Sequence, residues 1–379
     1  METFFWFSLL LLVYPYFVYP TVIWFWGALF GRAVNRRDYQ PTVTVIIPAF
    51  NEAQHIESTL TNKIEQHYPA DKLDIIVVSD ESMDGTDDIV KKYVSPRVRL
   101  IRQQPRAGKA AGLNKAVAEA RGEIVVFSDA NTQFDLDSIA KMVENFADPG
   151  VGYVTGSMGF PGAHGSATGT GISAYMRYEN ALRELETRYW SIVGSNGGVD
   201  AIRKTLYRDI PPDQITDFVL PLHVNSTGHR VVYDERVLAW EHPNEAMVSE
   251  FRMRVRVALR ALRGLYYMRA LLNPLRYGRL SFSLWSHKAA RYLAPFFMVC
   301  ALFSNVALVG EAFVYSLLML AQLICYTLAL LGLRGIELPL LGTLARLSAY
   351  FVASNAAFAV AMFKWLRGEK MAVWKPRGG

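Results

Sequence analysis

Val43-Thr44-Val45-Ile46-Ile47-Pro48-Ala49-Phe50-Asn51-Glu52 is the stretch that decides the fold. Five β-branched residues in succession, closed by a proline, read as a strand buried on both faces. The polar residues that follow read as a loop at its carboxyl end. Outward from there the pattern repeats. Residues 73–78 form a second apolar run, which ends in Ser79-Asp80-Glu81-Ser82-Met83-Asp84-Gly85-Thr86. Residues 98–101 are a third strand, and 123–127 a fourth that ends in Ser128-Asp129-Ala130-Asn131. Helical spacing lies between them at 51–66, 87–93 and 109–120. Strand and helix alternating at these intervals predict an α/β domain with a mostly parallel sheet and helices on both faces. Ligands of such sheets bind beyond the carboxyl ends of the strands. One crevice should therefore collect Pro48, Asn51, Glu52, Asp80 and Asp129.

Both flanks of this domain are unlike it. The chain has 379 residues, 51% hydrophobic and 20% charged, with mean hydropathy +0.14. That is too apolar for a disordered chain or an ordinary soluble enzyme. Residues 3–31 carry no charge, which is enough to span a bilayer core as a helix. A secretory signal peptide would need a basic start, a shorter apolar core and a small-residue cleavage site, none of which is present. Pro15 and Pro20 should kink this helix without ending it. Residues 292–310, 312–333 and 347–363 are uncharged as well, which predicts two to three further spans within 292–366. The expected organisation is an N-terminal membrane helix at 1–31, the α/β domain at 32–250, basic amphipathic interfacial helices at 251–291, the C-terminal spans, and a basic tail at 367–379. Residues 162–171 read as a flexible Gly/Ser/Thr loop.

Charge is distributed unevenly. The net formal charge is +6, yet residues 251–291 hold nine Arg, one Lys and no acid, and the remainder of the chain sums to −4. So local an excess does not describe a nucleic-acid-binding surface. Arg252, Arg256, Arg260 and Arg263 recur at helical spacing, as on a helix lying against anionic headgroups. Arg32, Arg36 and Arg37 after the first span, with Lys288 and Arg291 before the second, place the middle region in the cytoplasm of an inner (plasma) membrane. Lys364, Arg367, Lys370, Lys375 and Arg377 favour the same side for the tail, against a count of three C-terminal crossings. Cys300 and Cys325 are too few for a disulfide framework or a cysteine zinc site. Spans without internal charges do not suit a transporter or channel.

The crevice itself has carboxylates and cations but no cysteine. Asp80 suits hydrogen bonds from a base or a ribose. Asp129 and Asn131 are two oxygen ligands suited to a hard divalent cation, Mg²⁺ or Mn²⁺, that bridges substrate phosphates. Lys109 and Arg106 offer cations to a diphosphate. Taken singly, a strand-end Asp reads as a turn or an N-cap. Polar groups at successive strand ends do not. Gly108-Lys109 lacks the upstream glycine and the following Ser or Thr of a P-loop.

Together with Gly108-Lys109-Ala110-Ala111-Gly112-Leu113-Asn114, Gly194-Ser195-Asn196-Gly197-Gly198 and Ile215-Thr216-Asp217-Phe218, the segments quoted above resemble inverting family-2 glycosyltransferases. These have the Rossmann-like GT-A fold. With its flanking spans, the layout is similar to cellulose, chitin and hyaluronan synthases. The resemblance implies a hexosyl- or N-acetylhexosaminyl-transferase. It would use a nucleotide-sugar donor, expected to be a uridine diphosphate sugar, and a glycan or lipid-linked acceptor. It implies that Asp80 meets the base, Asp129 meets the diphosphate and metal, and Asp217 is the general base. Gly197, Gly198 and Trp190 are expected at the acceptor, and Arg252, Arg254 or Arg256 at the diphosphate or the membrane interface. Two departures stand out. Asn131 replaces the second acid of an Asp-X-Asp motif, and no Trp follows the arginines at 252–256, where polymerising synthases carry one. Transfer of a single sugar and polymerisation both stay open. Three C-terminal spans are few for an export channel, so polymer export would imply a homo-oligomer or an export partner. A catalytically inactive nucleotide-sugar-binding subunit is the alternative reading.

Overall fold

The computed structural model describes residues 1–159, 167–241, 247–336 and 341–369. Eight strands form one sheet: β1 (Val43–Ala49), β2 (Leu73–Ser79), β3 (Val98–Arg102), β4 (Ile124–Phe127), β5 (Gln133–Phe134), β6 (Val151–Gly159), β7 (Asp200–Arg203) and β8 (Arg230–Trp240). Their order is β3-β2-β1-β4-β7-β6-β8-β5. The β3-β2-β1-β4 half is parallel, and β7 then runs antiparallel to both β4 and β6.

The helices are α1 (Glu2–Phe30), α2 (Ile56–Ile64), α3 (Thr86–Lys91), α4 (Lys109–Glu119), α5 (Ser138–Glu144), α6 (Ala167–Tyr189), α7 (Thr216–Ser226), α8 (Met247–Tyr267), α9 (Pro274–Leu308), α10 (Phe313–Leu333) and α11 (Gly342–Leu366). Alternation along β1 sends Val43, Val45 and Ile47 to one face, against Ile56 and Leu60 of α2 and Met142 of α5. Ile46 points to the other face, against Leu113, Ala116 and Val117 of α4. Burying each such aliphatic side chain contributes about 1.5–3 kcal/mol. This three-layer packing fixes the carboxyl ends of β1, β2 and β4 side by side.

Two expectations for the α/β domain change. The helix foreseen over 51–66 starts only at Ile56. Asn51 takes φ 54°, and the N–H groups of Asn51, Glu52 and Ala53 donate to the side chains of Ser82, Thr86 and Asp84, so the chain is held in a turn. Of the loop foreseen over 162–171, residues 160–166 lie outside those described, and 167–171 form the first turns of α6. Extending an existing helix adds a hydrogen bond for each residue fixed, which outweighs the weak propensity of Gly and Thr.

Among the described residues, α1, α9, α10 and α11 are long and apolar enough to cross a membrane. A π-helical turn at Tyr14–Val18 carries α1 through Pro15, as a relaxed ladder can. The expected basic tail lies outside the described residues from 370 onward. The block foreseen as interfacial divides in two. Val255, Ala258 and Leu259 of α8 pack on Ala357 and Ala361 of α11. Beyond Pro274 the block belongs to α9, where His287 and Arg291 are buried.

These two side chains tie the α/β domain to the long helices. His287 Nδ1 and the Tyr19 hydroxyl each lie 2.7 Å from Glu186 Oε1, and His287 Nε2 lies 3.3 Å from Glu179 Oε2. Arg291 pairs with Glu179. Burial works to raise the Glu179 carboxyl, but Arg291, His287 and Lys288 hold it well below the ordinary range. Both glutamates are on α6, upstream of the glycine segment at 194–198.

Candidate active site

Asp80 directly follows β2 and is 8% exposed. Its carboxylate accepts from Ala107 N (2.9 Å), Gly108 N (3.0 Å) and Gln103 Nε2, and Arg106 Nε lies 3.5 Å away. These bonds pin the 106–108 loop that opens α4. Arg106 in turn lies 3.5 Å over the Phe50 ring. Pro48 and Glu52 are partly exposed at the neighbouring strand end, and Asn51 Oδ1 accepts from Met83 N at 2.9 Å. Asp80 therefore shapes the wall of the crevice through the loop it holds.

Lys109, the first residue of α4, pairs with Asp129. Burial pulls its ammonium down, and Asp129, Asp217 and Asp200 more than offset this, leaving it above its ordinary value. Asp217 lies in the first turn of α7. Ser195 donates to its carbonyl through both N (3.1 Å) and Oγ (2.9 Å). The glycines explain how Asp129 and Asp217 come together. A Cβ on Gly197 would lie 2.8 Å from Asp217 Oδ2, and one on Gly198, whose φ is +84°, would lie 3.2 Å from Asp129 Oδ2. Only glycine lets the backbone pass between the two carboxylates. A small cavity here is lined by Lys109, Tyr153, Gly197, Gly198, Asp200 and Asp217, among others.

Asn131 Nδ2 donates to Glu241 Oε1 at 2.9 Å, which turns the carboxamide oxygen away from Glu241. Beside Asp129, the buried Thr132 Oγ1 has no hydrogen-bond partner among the described residues. No group of three or more His, Cys, Asp or Glu that could hold a metal occurs among them. Asp129 and Asn131 thus present hard oxygen donors in small number. That fits Mg²⁺ or Mn²⁺, which keep waters and take phosphate oxygens.

Other expected residues lie elsewhere. Trp190 does not line the cavity. It is partly buried and packs against two clusters, one that includes Val193 and Phe218 and one that includes Tyr19 and Leu182, where α6 meets the long helices. Arg254 donates to Ser354 Oγ (3.1 Å) and Tyr350 on α11, and Arg252 is exposed. Neither these two nor Arg256 lines the cavity. Arg260 of α8 lies in the field of Asp217. Burial pulls its guanidinium down, Asp217 and Asp213 oppose this, and its Nη2 donates to Gln214 O at 2.6 Å. Asp200, Glu241 and Lys288 belong to no motif read above. Asp200 had one visible signal, an acid within the apolar run Val199–Ile202. Lys288 comes from α9, with Nζ 3.2 Å from the position of a Gly194 Cβ.

Residues 44–210 match the description Glycosyl transferase family 2. The chain is 26% identical over 269 residues to the poly-beta-1,6-N-acetyl-D-glucosamine synthase of Staphylococcus aureus, with 65% of this chain and 64% of that protein covered. It is 23% identical over 270 residues to the synthase of the same name from Staphylococcus epidermidis. The chain thus spans about 64% of the length of these curated relatives. A mannosyltransferase from Pyrobaculum calidifontis, solved in complex with GDP-Man and Mn²⁺, superposes with a TM-score of 0.75 at 24% identity, covering 97% of this chain and 99% of that one. Strand order, strand-end loops and these similarities agree: residues 44–210 are similar to glycosyl transferase family 2, on a sheet of the Rossmann-like GT-A fold, joined among the described residues to four helices long and apolar enough to cross a membrane.

Proposed function

We propose that the protein is a membrane-embedded inverting glycosyltransferase. It moves one sugar from a nucleoside-diphosphate donor to a hydroxyl of a glycan or lipid-linked acceptor. The observation that carries this reading is the Gly197-Gly198 turn between Asp217 and Asp129, with Lys109 paired to Asp129. Inversion needs a base on one side of the anomeric carbon and charge neutralisation on the other. Asp217 takes the proton of the acceptor hydroxyl. The acceptor oxygen then bonds to the anomeric carbon from the side opposite the diphosphate. The bond from that carbon to the phosphate oxygen breaks, and its electron pair leaves on the diphosphate. Lys109 stays charged and offsets the departing negative charge. Asp129 and Asn131 would hold a divalent cation, which when bound supplies further neutralisation of the diphosphate. Asp80 keeps the 106–108 loop, and with it Lys109, in place.

Asp217 lies at the acceptor end of the site because α7 and the glycine segment meet there. Lys288 brings a cation from α9 to the same end. The cations at 32, 36 and 37 support a catalytic domain on the cytoplasmic side of the membrane. The domain limits proposed are 32–250 for the transferase domain, with the basic helix α8 as an interfacial element after it.

The test uses the full chain in native membranes with Mg²⁺ or Mn²⁺ and a panel of nucleotide sugars. Release of nucleoside diphosphate together with a sugar-extended product supports the proposal. Donor binding without release across the panel would favour an inactive binding subunit.

A further inference from the structure

Asp200 opens β7 in the middle of the sheet, as the Cα partner of Phe127 on β4 and of Thr155 on β6. It is 3% exposed, and its Oδ1 finds no hydrogen-bond partner among the described residues. A buried carboxyl oxygen left without a partner is costly. Asp200 lines the same cavity as Asp217, Lys109 and the Gly197-Gly198 turn, and Tyr153 lies beside it in that lining. The cavity is small, about 10 Å³, with room for about one water or one hydroxyl group. Its place follows from the transfer geometry. On the sugar-transfer reading, with the diphosphate at Asp129 and Asp217 as base, the transferred sugar would cross the Gly197-Gly198 turn, beside the cavity that Asp200 lines.

We propose that Asp200 is a specificity-determining residue: with Tyr153 it forms a polar floor that receives one ring hydroxyl of the transferred sugar. This rests on the sugar-transfer reading above. Burial, reinforced by Asp217, pushes the Asp200 carboxyl well above the ordinary range, although Thr155, Ser195 and Lys109 oppose it. A neutral carboxyl both donates and accepts, which matches a hydroxyl. It also spares the cavity a second negative charge beside Asp217. A sugar whose hydroxyl is inverted or missing at that carbon leaves the floor unpaired, a discrimination of about 10–100-fold or more.

The experiment measures binding to the full-length protein of free nucleoside diphosphates and of nucleotide sugars that differ at one ring hydroxyl. It compares wild type, Asp200→Leu, Asp200→Ser and Asp200→Asn, each with its melting temperature. Asp200→Leu and Asp200→Ser are expected to lose about tenfold in affinity for the preferred nucleotide sugar and to narrow the preference between epimers. Their affinity for free diphosphate should stay at the wild-type value. Asp200→Asn, which is neutral and of the same shape, should stay within about threefold of wild type. If Asp200→Leu fails to fold, Asp200→Ser decides. Unchanged epimer preference in a folded variant overturns the proposal while leaving the transferase reading intact, and so does an equal loss for free diphosphate and nucleotide sugar. A wild type that binds no nucleotide sugar overturns both.

Discussion

Asp80 and Asp200 are both buried acids at the ends of strands in one sheet, 8% and 3% exposed, yet they are treated differently. Asp80 receives two backbone N–H groups and a glutamine amide, with an arginine close by. Asp200 keeps an oxygen with no partner. An acid whose lone pairs are filled by its own chain holds that chain in shape. One left unfilled has capacity for a ligand, and the protein bears the desolvation cost until the ligand arrives. The contrast follows the two halves of the cleft. The parallel half, β3 to β4, is organised by internal bonds around the 106–108 loop. The half built by β7, α7 and the glycine segment keeps its carboxyls open around a small cavity.

The largest way to break this contrast is at the base. Asp217→Asn keeps the shape but cannot accept a proton. Turnover should fall by about 10²–10⁴-fold, with nucleotide-sugar affinity retained, as measured by product release and by binding. Next comes the organised half. Asp80→Ala leaves the N–H groups of Ala107 and Gly108 unpaired, and should cost about 1–3 kcal/mol of stability, read from denaturant midpoints. It should also weaken nucleotide binding, since the loop loses its anchor. Equal effects of Asp80→Asn and Asp80→Ala on stability would count against the role of the carboxylate bonds. A smaller effect is expected at Gly197. In Gly197→Ala the new methyl would lie 2.8 Å from Asp217 Oδ2, so Asp217 must shift. Turnover should drop by about tenfold to a hundredfold, as small misplacements of reacting groups do, with donor affinity nearly unchanged.

The smallest effect is with pH. Lys109 titrates above its ordinary 10.5 because its three carboxyl neighbours outweigh burial. A raised pKa means its contribution is fully present below the unfolded value and is lost only as pH rises through the folded one. No loss of donor affinity traceable to Lys109 should therefore occur between pH 6 and pH 9. A lysine limb inside that window in the wild type, absent in Lys109→Met, would contradict the charge balance described for the cavity.

Much of the parallel half was legible from the chain alone. Runs such as Val43–Ile47 are local, and their strand-end polar residues follow directly. The same holds for the long uncharged helices. What was not legible depends on elements far apart in sequence. The bond from Asn131 to Glu241 joins the end of β4 to the end of β8. Lys288 reaches Gly194 from a helix that composition alone assigns to the membrane surface. The arginine spacing in α8 marks a helix but cannot tell which side chain looks inward. Arg260 lies in the field of Asp217 while Arg254 turns to Tyr350 and Ser354. Trp190 shows the converse: an aromatic next to a glycine segment suits a sugar, and here it is partly buried against two core clusters.

The central claim is that Asp217 is the proton acceptor in a sugar transfer whose donor is held independently of it. Nucleoside-diphosphate release by wild type and Asp217→Asn, at donor concentrations that saturate both and with native membranes as acceptor, tests it most directly. Release by wild type that falls by about 10²-fold or more in the variant, with both proteins equally occupied by donor, is the predicted result. Equal release rates from the two proteins would contradict it.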